Sequence, residues 1–219
     1  RGFDEARVAD LVADGRLDAA VEQDLRDRGL VDSDPDTEIG VERLEVSTID
    51  GDTDGDGLTE ELVAFNSRSF SIFDTDGNLV FDSGDDFERI IAEIAPERFN
   101  NDDGEPIAEE DDNRSDAKGP EPEAVAVGEI DGRTYAFIGL ERDSGIMIYD
   151  VTDPADSSFV NYIPPRFVGS TPDDEVAAHG PEIIEFIPAD ESGSGSPQLA
   201  VSYEISGTTI TYDLAAGFE

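Results

Sequence analysis

The sequence predicts a mainly β protein: a partial, β-propeller-like array of about three antiparallel blades, with short N-terminal helices and one inserted helix. Three observations predict it. Short alternating or apolar runs, separated by Gly, Asp, Asn or Pro, fill the chain from residue 42 onward. A block of strand-like runs recurs along that region. Finally, 37% hydrophobic residues with 12 Phe and 5 Tyr are enough to build a core. That supply separates the chain from a disordered acidic polymer in spite of its charge.

Residues 4–30 read as two short helices. Val8, Leu11 and Val12 stand at i, i+3 and i+4, and Ala20, Val21 and Leu25 continue the stripe after Gly15. Gly29 suits a C-terminal cap. Residues 31–39 form a polar linker, so the division expected is a helical segment and linker over 1–40 and blades over 41–219. Strands are expected at 42–48, 60–66, 69–74, 78–82, 124–130, 133–141, 145–151, 158–163, 182–187, 198–204 and 208–214. One helix interrupts them. Phe87, Ile90, Ile91 and Ile94 share a face, Asp85 with Glu88 has the capping-box spacing, and Pro96 ends the run. Residues 100–118 are acidic and nearly free of apolar side chains, which predicts a long exposed loop.

The repeat has a clear register. Gly119-Pro120-Glu121 and Gly180-Pro181-Glu182 stand 61 residues apart, each ahead of a strand. The next strands end in Glu141 and Glu204, and the ones after in Tyr149-Asp150 and Tyr212-Asp213, with a spacing of 63 in both cases. Phe73-Asp74 closes an earlier unit in the same way. The units expected are about 42–84, 122–163 and 181–214, the last with three strands only. Three blades cannot close a ring, and they leave sheet edges bare. The chain, starting at Arg1, therefore reads as a piece of a longer protein. Its expected partners are the remainder of the parent propeller, or a second copy joined through blade edges.

Charge excludes several functions. The chain carries 14 Lys+Arg against 55 Asp+Glu, a net charge of −41. Nucleic acid and anionic membrane surfaces both need clustered cations, so neither is an expected partner. No apolar run is long enough to insert in a membrane. With no Cys, disulfides and thiolate chemistry are absent. Acidic residues are spread along the whole chain, and Lys118 is the single lysine. Self-repulsion of that size is screened at molar salt, where the Debye length is about 3 Å. A halophilic setting is the expectation.

The sharpest motif is Asp50-Gly-Asp52-Thr-Asp54-Gly-Asp56-Gly-Leu58-Thr-Glu60-Glu61. Ca²⁺ takes six to eight hard oxygens from a short flexible loop, and alternate carboxylates separated by glycine supply them. Two registers fit. One starts at Asp50, turns at Gly55 and ends in Glu61, as in a helix–loop–helix site. The other uses Asp52, Asp54, Asp56, the Leu58 carbonyl and Glu60, with the turn at Gly57. Strand-like flanks favour the second. A second constellation comprises Arg114, Asp116, Lys118, Glu121, Glu123, His179 and Glu182. Both Gly-Pro-Glu turns open a first strand, and the first strands of propeller blades line the central channel. Glu121, Glu123, His179 and Glu182 are thus candidates for acid–base or metal chemistry. The competing reading is that Gly-Pro shapes the turn and Glu caps backbone N–H groups. Arg68 is expected to make a structural ion pair. The sequence has no nucleophile elbow, phosphate loop or dinucleotide fingerprint.

The stretches GDTDGDGLTEELVAF (51–65), SRSFSIFD (67–74), LVFDSGDDFERI (79–90), RSDAKGPEPEAVAVGEIDGRTYAFIGLERDSGIMIYDVTDP (114–154), HGPEIIEFIPA (179–189) and SGTTITYDL (206–214) resemble the choice-of-anchor I family of secreted and cell-surface proteins. The resemblance implies a β-propeller-like domain on an exported protein whose anchoring device varies, with this chain matching the C-terminal part of a longer domain. The acidic loop is similar to the calcium hairpins of integrin-type blades. Together these readings describe an extracellular, calcium-binding segment with a structural or binding role. Because some family members are labelled alkaline phosphatases, the alternative implied is a metal-dependent phosphoesterase with the channel glutamates as metal ligands.

Overall fold

In the computed structural model, residues 3–32, 40–65, 67–101, 112, 114–115, 117–165 and 178–214 are described. They fall into two compact units, Arg1–Ser67 with Ser115–Lys118, and Arg68–Arg114 with Gly119–Glu219.

In the first unit, β1 (Glu5–Arg7) runs into α1 (Val8–Ala13), and α2 (Ala19–Asp27) follows. Val8, Leu11, Leu17, Leu25, Val31 and Val46 form its core. Val8, Leu11 and Leu25 belong to the helical stripe the sequence places there, and Val12 and Val21 of that stripe are partly buried against this core. Asp18 caps α2: its Oδ1 accepts from the N–H groups of Ala20 (2.8 Å) and Val21 (3.2 Å). Gly29 sits just past α2 at φ 68°, a conformation that costs a Cβ-bearing residue strain.

Two sequence expectations fail in this unit. The first of the three β units is not one sheet, because β2 (Glu45–Ser47) pairs antiparallel with β1. Residues 60–65 of the strand expected at 60–66 do not form one either, and residue 66 lies outside the described residues. Thr59 makes a single parallel bridge to Leu17 and Ala64 a single antiparallel bridge to Val46.

The second unit is built of antiparallel meanders. A hairpin of β3 (Ser71–Phe73) and β4 (Leu79–Asp82) leads into α3 (Asp86–Ile94) and a 3₁₀ turn at Pro96–Arg98. β5 (Pro122–Ile130), β6 (Arg133–Leu140), β7 (Ile146–Asp150) and β8 (Ser158–Ile163) form a four-stranded sheet in chain order. β9 (Pro181–Ile187), β10 (Gln198–Tyr203) and β11 (Thr208–Asp213) form a three-stranded one. Side chains alternate across a strand, and both faces of the four-stranded sheet are used. Tyr135, Phe137, Ile146 and Ile148 pack with Ile184, Leu199, Val201 and Tyr203 of the three-stranded sheet. Ala136, Ile138, Leu140, Met147 and Tyr149 pack with Phe87, Ile90 and Ile91 of α3. This double coverage is why β6 and β7 read as unbroken apolar runs. At Gly128 a Cβ would lie 2.3 Å from Phe186 Cγ, so only glycine lets the two sheets approach there. Among the described residues there are 11 strands in antiparallel sheets, and no sheet closes on itself.

The expected capping box of α3 does not form. Asp85 makes no side-chain cap. Glu88 instead accepts from Arg68 (2.9 Å) and Asn100 (2.6 Å), which makes Arg68 the structural ion-pair partner anticipated. The acidic segment 100–118 lies largely outside the described residues, as does most of the 31–39 linker. The ends of 100–118 are not exposed: Asn100 and Lys118 are both buried.

Candidate functional site

Two groups of carboxylates converge among the described residues, and each belongs to one unit. The first is Asp52, Asp54, Asp56 and Glu60, whose ligand-type oxygens all lie within 4.8 Å of one another. The loop is folded by its own side chains. Asp52 accepts from the N–H groups of Gly55 (2.7 Å) and Gly57 (3.0 Å). Asp54 accepts from Asp56 N (3.1 Å), and Asp56 accepts from Leu58 N (2.8 Å). Glu60 turns back to accept from Thr53 N (2.7 Å) and Thr53 Oγ1 (3.1 Å). Gly55 and Gly57 hold φ of 82° and 93°, which lets the carboxylates point inward together. The base of the loop is tied by Glu60 N and Glu61 N donating to Gly51 O at 2.9 and 3.1 Å. Asp50 and Glu61, which only the other register needs, are exposed and outside the group. Asp50 N donates to Ser47 Oγ instead (3.0 Å). The segments on either side make β-bridges rather than helices. Oxygen donors alone, charged −4 in total and half-exposed or exposed, are the donor chemistry of a hard divalent cation.

The second group is Glu121, Glu123 and Glu141, again within 4.8 Å of one another. Glu121 is the last residue before β5 and is 1% exposed, with φ 50°. Arg114 is ion-paired to its Oε1, and Arg142 Nε lies 3.3 Å from the same oxygen. Arg142 also reaches Glu141 Oε1 at 3.2 Å. The Glu141 N–H donates to the Glu121 carbonyl at 2.7 Å, which fixes the β6–β7 turn against the start of β5. Burial pushes the Glu141 carboxyl up to about 7; Arg142 opposes the rise, while Glu123 and Glu121 add to it.

The other residues singled out by sequence do not join this group. Glu182 is exposed on β9. His179 is buried, and its backbone N–H donates to Ser206 Oγ at 3.3 Å. Lys118 belongs to the first unit, and Asp116 lies outside the described residues. Glu141 is the member that sequence reasoning passed over. The repeat marked it as a strand-ending acid, and its pairing with the start of β5 was the signal available.

A choice-of-anchor I domain model matches residues 1–154. The chain belongs to the choice-of-anchor I family. The match includes both carboxylate groups and ends before the three-stranded sheet, so the resemblance noted at 179–189 and 206–214 lies beyond it. The choice-of-anchor I chain is 29% identical to Gigasin-3a of Magallana gigas over 180 residues, covering 78% of this chain and 63% of that protein. It is 32% identical to the mesenchyme-specific cell surface glycoprotein of Strongylocentrotus purpuratus over 105 residues, covering 42% of this chain and 13% of that protein. The chain thus spans less than two thirds of either relative. No solved structure matches it.

Proposed function

We propose that this choice-of-anchor I chain is an extracellular or cell-surface, calcium-binding module with a structural or binding role. The observation that carries the reading is the convergence of Asp52, Asp54, Asp56 and Glu60 in one loop of nine residues. These four carboxylates would hold the ion, with the Leu58 carbonyl adding a fifth protein oxygen and water the remainder. The ion would offset half of the loop's negative charge and fix its turn. Family membership and the cell-surface name of the sea-urchin relative support the location. The two meanders packed face to face support a propeller-type arrangement, with sheet edges left for further blades or a second copy. A net charge of −41 with one lysine supports a halophilic setting.

The second carboxylate group supports this reading over a phosphoesterase. Glu121 is already neutralised by two guanidiniums, and Glu182 stands apart. Calorimetry in high salt tests the calcium site. Binding is expected at about 10⁻⁴–10⁻³ M, the range of extracellular modules. Asp54→Ala and Glu60→Gln should lose it, and Glu61→Gln should keep it. Equal binding by wild type and Asp54→Ala reduces the loop to an acidic turn.

A further inference from the structure

The acidic loop ends on a residue in a very different environment. Asp54, Gly55, Asp56 and Gly57 are exposed, whereas Thr59, between Leu58 and Glu60, is 2% exposed. Both backbone groups of Thr59 are spent on the connection between α1 and α2. Its N–H donates to the Arg16 carbonyl at 2.8 Å, and its carbonyl accepts from Asp18 N at 3.0 Å. Leu17, its partner in the parallel bridge, belongs to the core of the first unit.

Residues 16–18 are in turn fastened to both helices. Arg16 N and Leu17 N donate to Leu11 O of α1 at 2.7 and 3.3 Å. The Asp18 carboxylate caps α2 through Ala20 N and Val21 N. On its other side Thr59 meets Gly51, where a Cβ would lie 2.8 Å from Thr59 Cγ2 and 2.5 Å from the Glu61 carbonyl oxygen. Thr59 is therefore gripped by the helix connection and by the base of the loop.

The charge of the loop acts on the same residue. Four carboxylates within 4.8 Å repel one another, and that repulsion drives Glu60 away from Asp52, Asp54 and Asp56. Leu58 and Glu60 are the two chain neighbours of Thr59. A cation shared by the Leu58 carbonyl and the Glu60 carboxylate would fix the chain on either side of it, with its N–H and carbonyl aimed at 16–18.

We propose, on the calcium reading of this loop, that Thr59 couples the cation site to the start of α2: holding the ion firms the bridge to 16–18, and a firm bridge tightens the hold on the ion. The coupling is reciprocal, because each event changes the free energy of the other by the same amount. Asp18 is then a positioning residue. It is not among the converging carboxylates. It acts by capping α2 and by presenting its own N–H to Thr59.

The test uses the whole chain in molar KCl, with chelator or with calcium at about ten times the Kd that calorimetry gives. Amide exchange at Asp18 and Thr59, read by NMR, should slow on the order of tenfold with calcium, the linkage factor for an opened bridge that releases the ion. Val8 N, which donates to Leu44 O in the same unit, should slow less. Asp18→Ala removes the cap and should weaken calcium binding about two- to fivefold. Asp18→Asn loses the same charge but still caps, and in molar salt it should bind calcium like the wild type. A wild type that binds calcium with no slowing at Asp18 and Thr59 overturns the coupling and leaves the site standing. Equal slowing at Val8 does the same, since it reports stabilisation of the whole unit, and so does equal binding by Asp18→Ala and Asp18→Asn. A wild type that takes up no calcium removes the site and the coupling together. Where Asp18→Ala folds poorly, exchange in the wild type decides.

Discussion

The two carboxylate groups are alike in composition and opposite in construction. In the Asp52–Glu60 loop every acid comes from one short stretch and is held by backbone N–H groups, and no arginine or lysine among the described residues pairs with it. In the Glu121–Glu123–Glu141 group the acids come from the start of β5 and the turn after β6, two are buried, and Arg114 and Arg142 supply the positive charge. The first group has no counter-charge of its own among the described residues and faces solvent. The second carries its counter-charges with it. Solvent access and the presence of guanidinium, rather than the number of carboxylates, set what each can do.

The sharpest way to break this comparison is to remove the buried acid. Glu121→Ala leaves Arg114 and Arg142 without their shared carboxylate and should cost about 3 kcal/mol or more in denaturant unfolding. Glu182→Ala alters the corresponding residue of the second Gly-Pro-Glu turn, which is exposed, and should leave the midpoint almost unchanged. Equal effects would mean that Glu121 is not the anchor of its turn. Arg142→Ile comes next. Ile205 stands at the equivalent place in the second repeat, 63 residues on, where it packs against Gly180. The substitution removes one of the guanidiniums paired with Glu121, so a smaller loss of about 1–3 kcal/mol is expected.

Salt should act on exposed charge more than on buried charge. The melting temperature should therefore rise from dilute buffer to molar KCl or NaCl, and a flat or falling curve would remove the halophilic reading. Asp56→Asn is the mildest change. Its side-chain oxygen can still accept from Leu58 N, so in chelator the thermal midpoint should stay level or rise slightly as repulsion is relieved. With calcium present the same variant should lose the ion's stabilisation.

Much of the fold is legible in the sequence because its signals are local. The stripe Val8, Leu11 and Leu25 gives two helices, Phe87, Ile90 and Ile91 give a third, and the alternation from 122 onward gives both meanders. Where expectation failed, a distant partner had intervened. Glu88 left the capping box for Arg68 and Asn100. β2 found β1, a strand of only three residues that shows no alternation long enough to read.

The same division separates the two candidate sites. Sequence by itself determined the acidic loop, since its four carboxylates and two turn glycines lie within nine residues and one chain reversal brings them together. Only the tertiary structure decided the other group. Glu121 and Glu182 share the tripeptide Gly-Pro-Glu, yet one is buried between two arginines and the other faces solvent. What distinguishes them is Arg114 reaching in from the preceding turn and Arg142 from the next hairpin, and burial then raises the value of every charge that meets there.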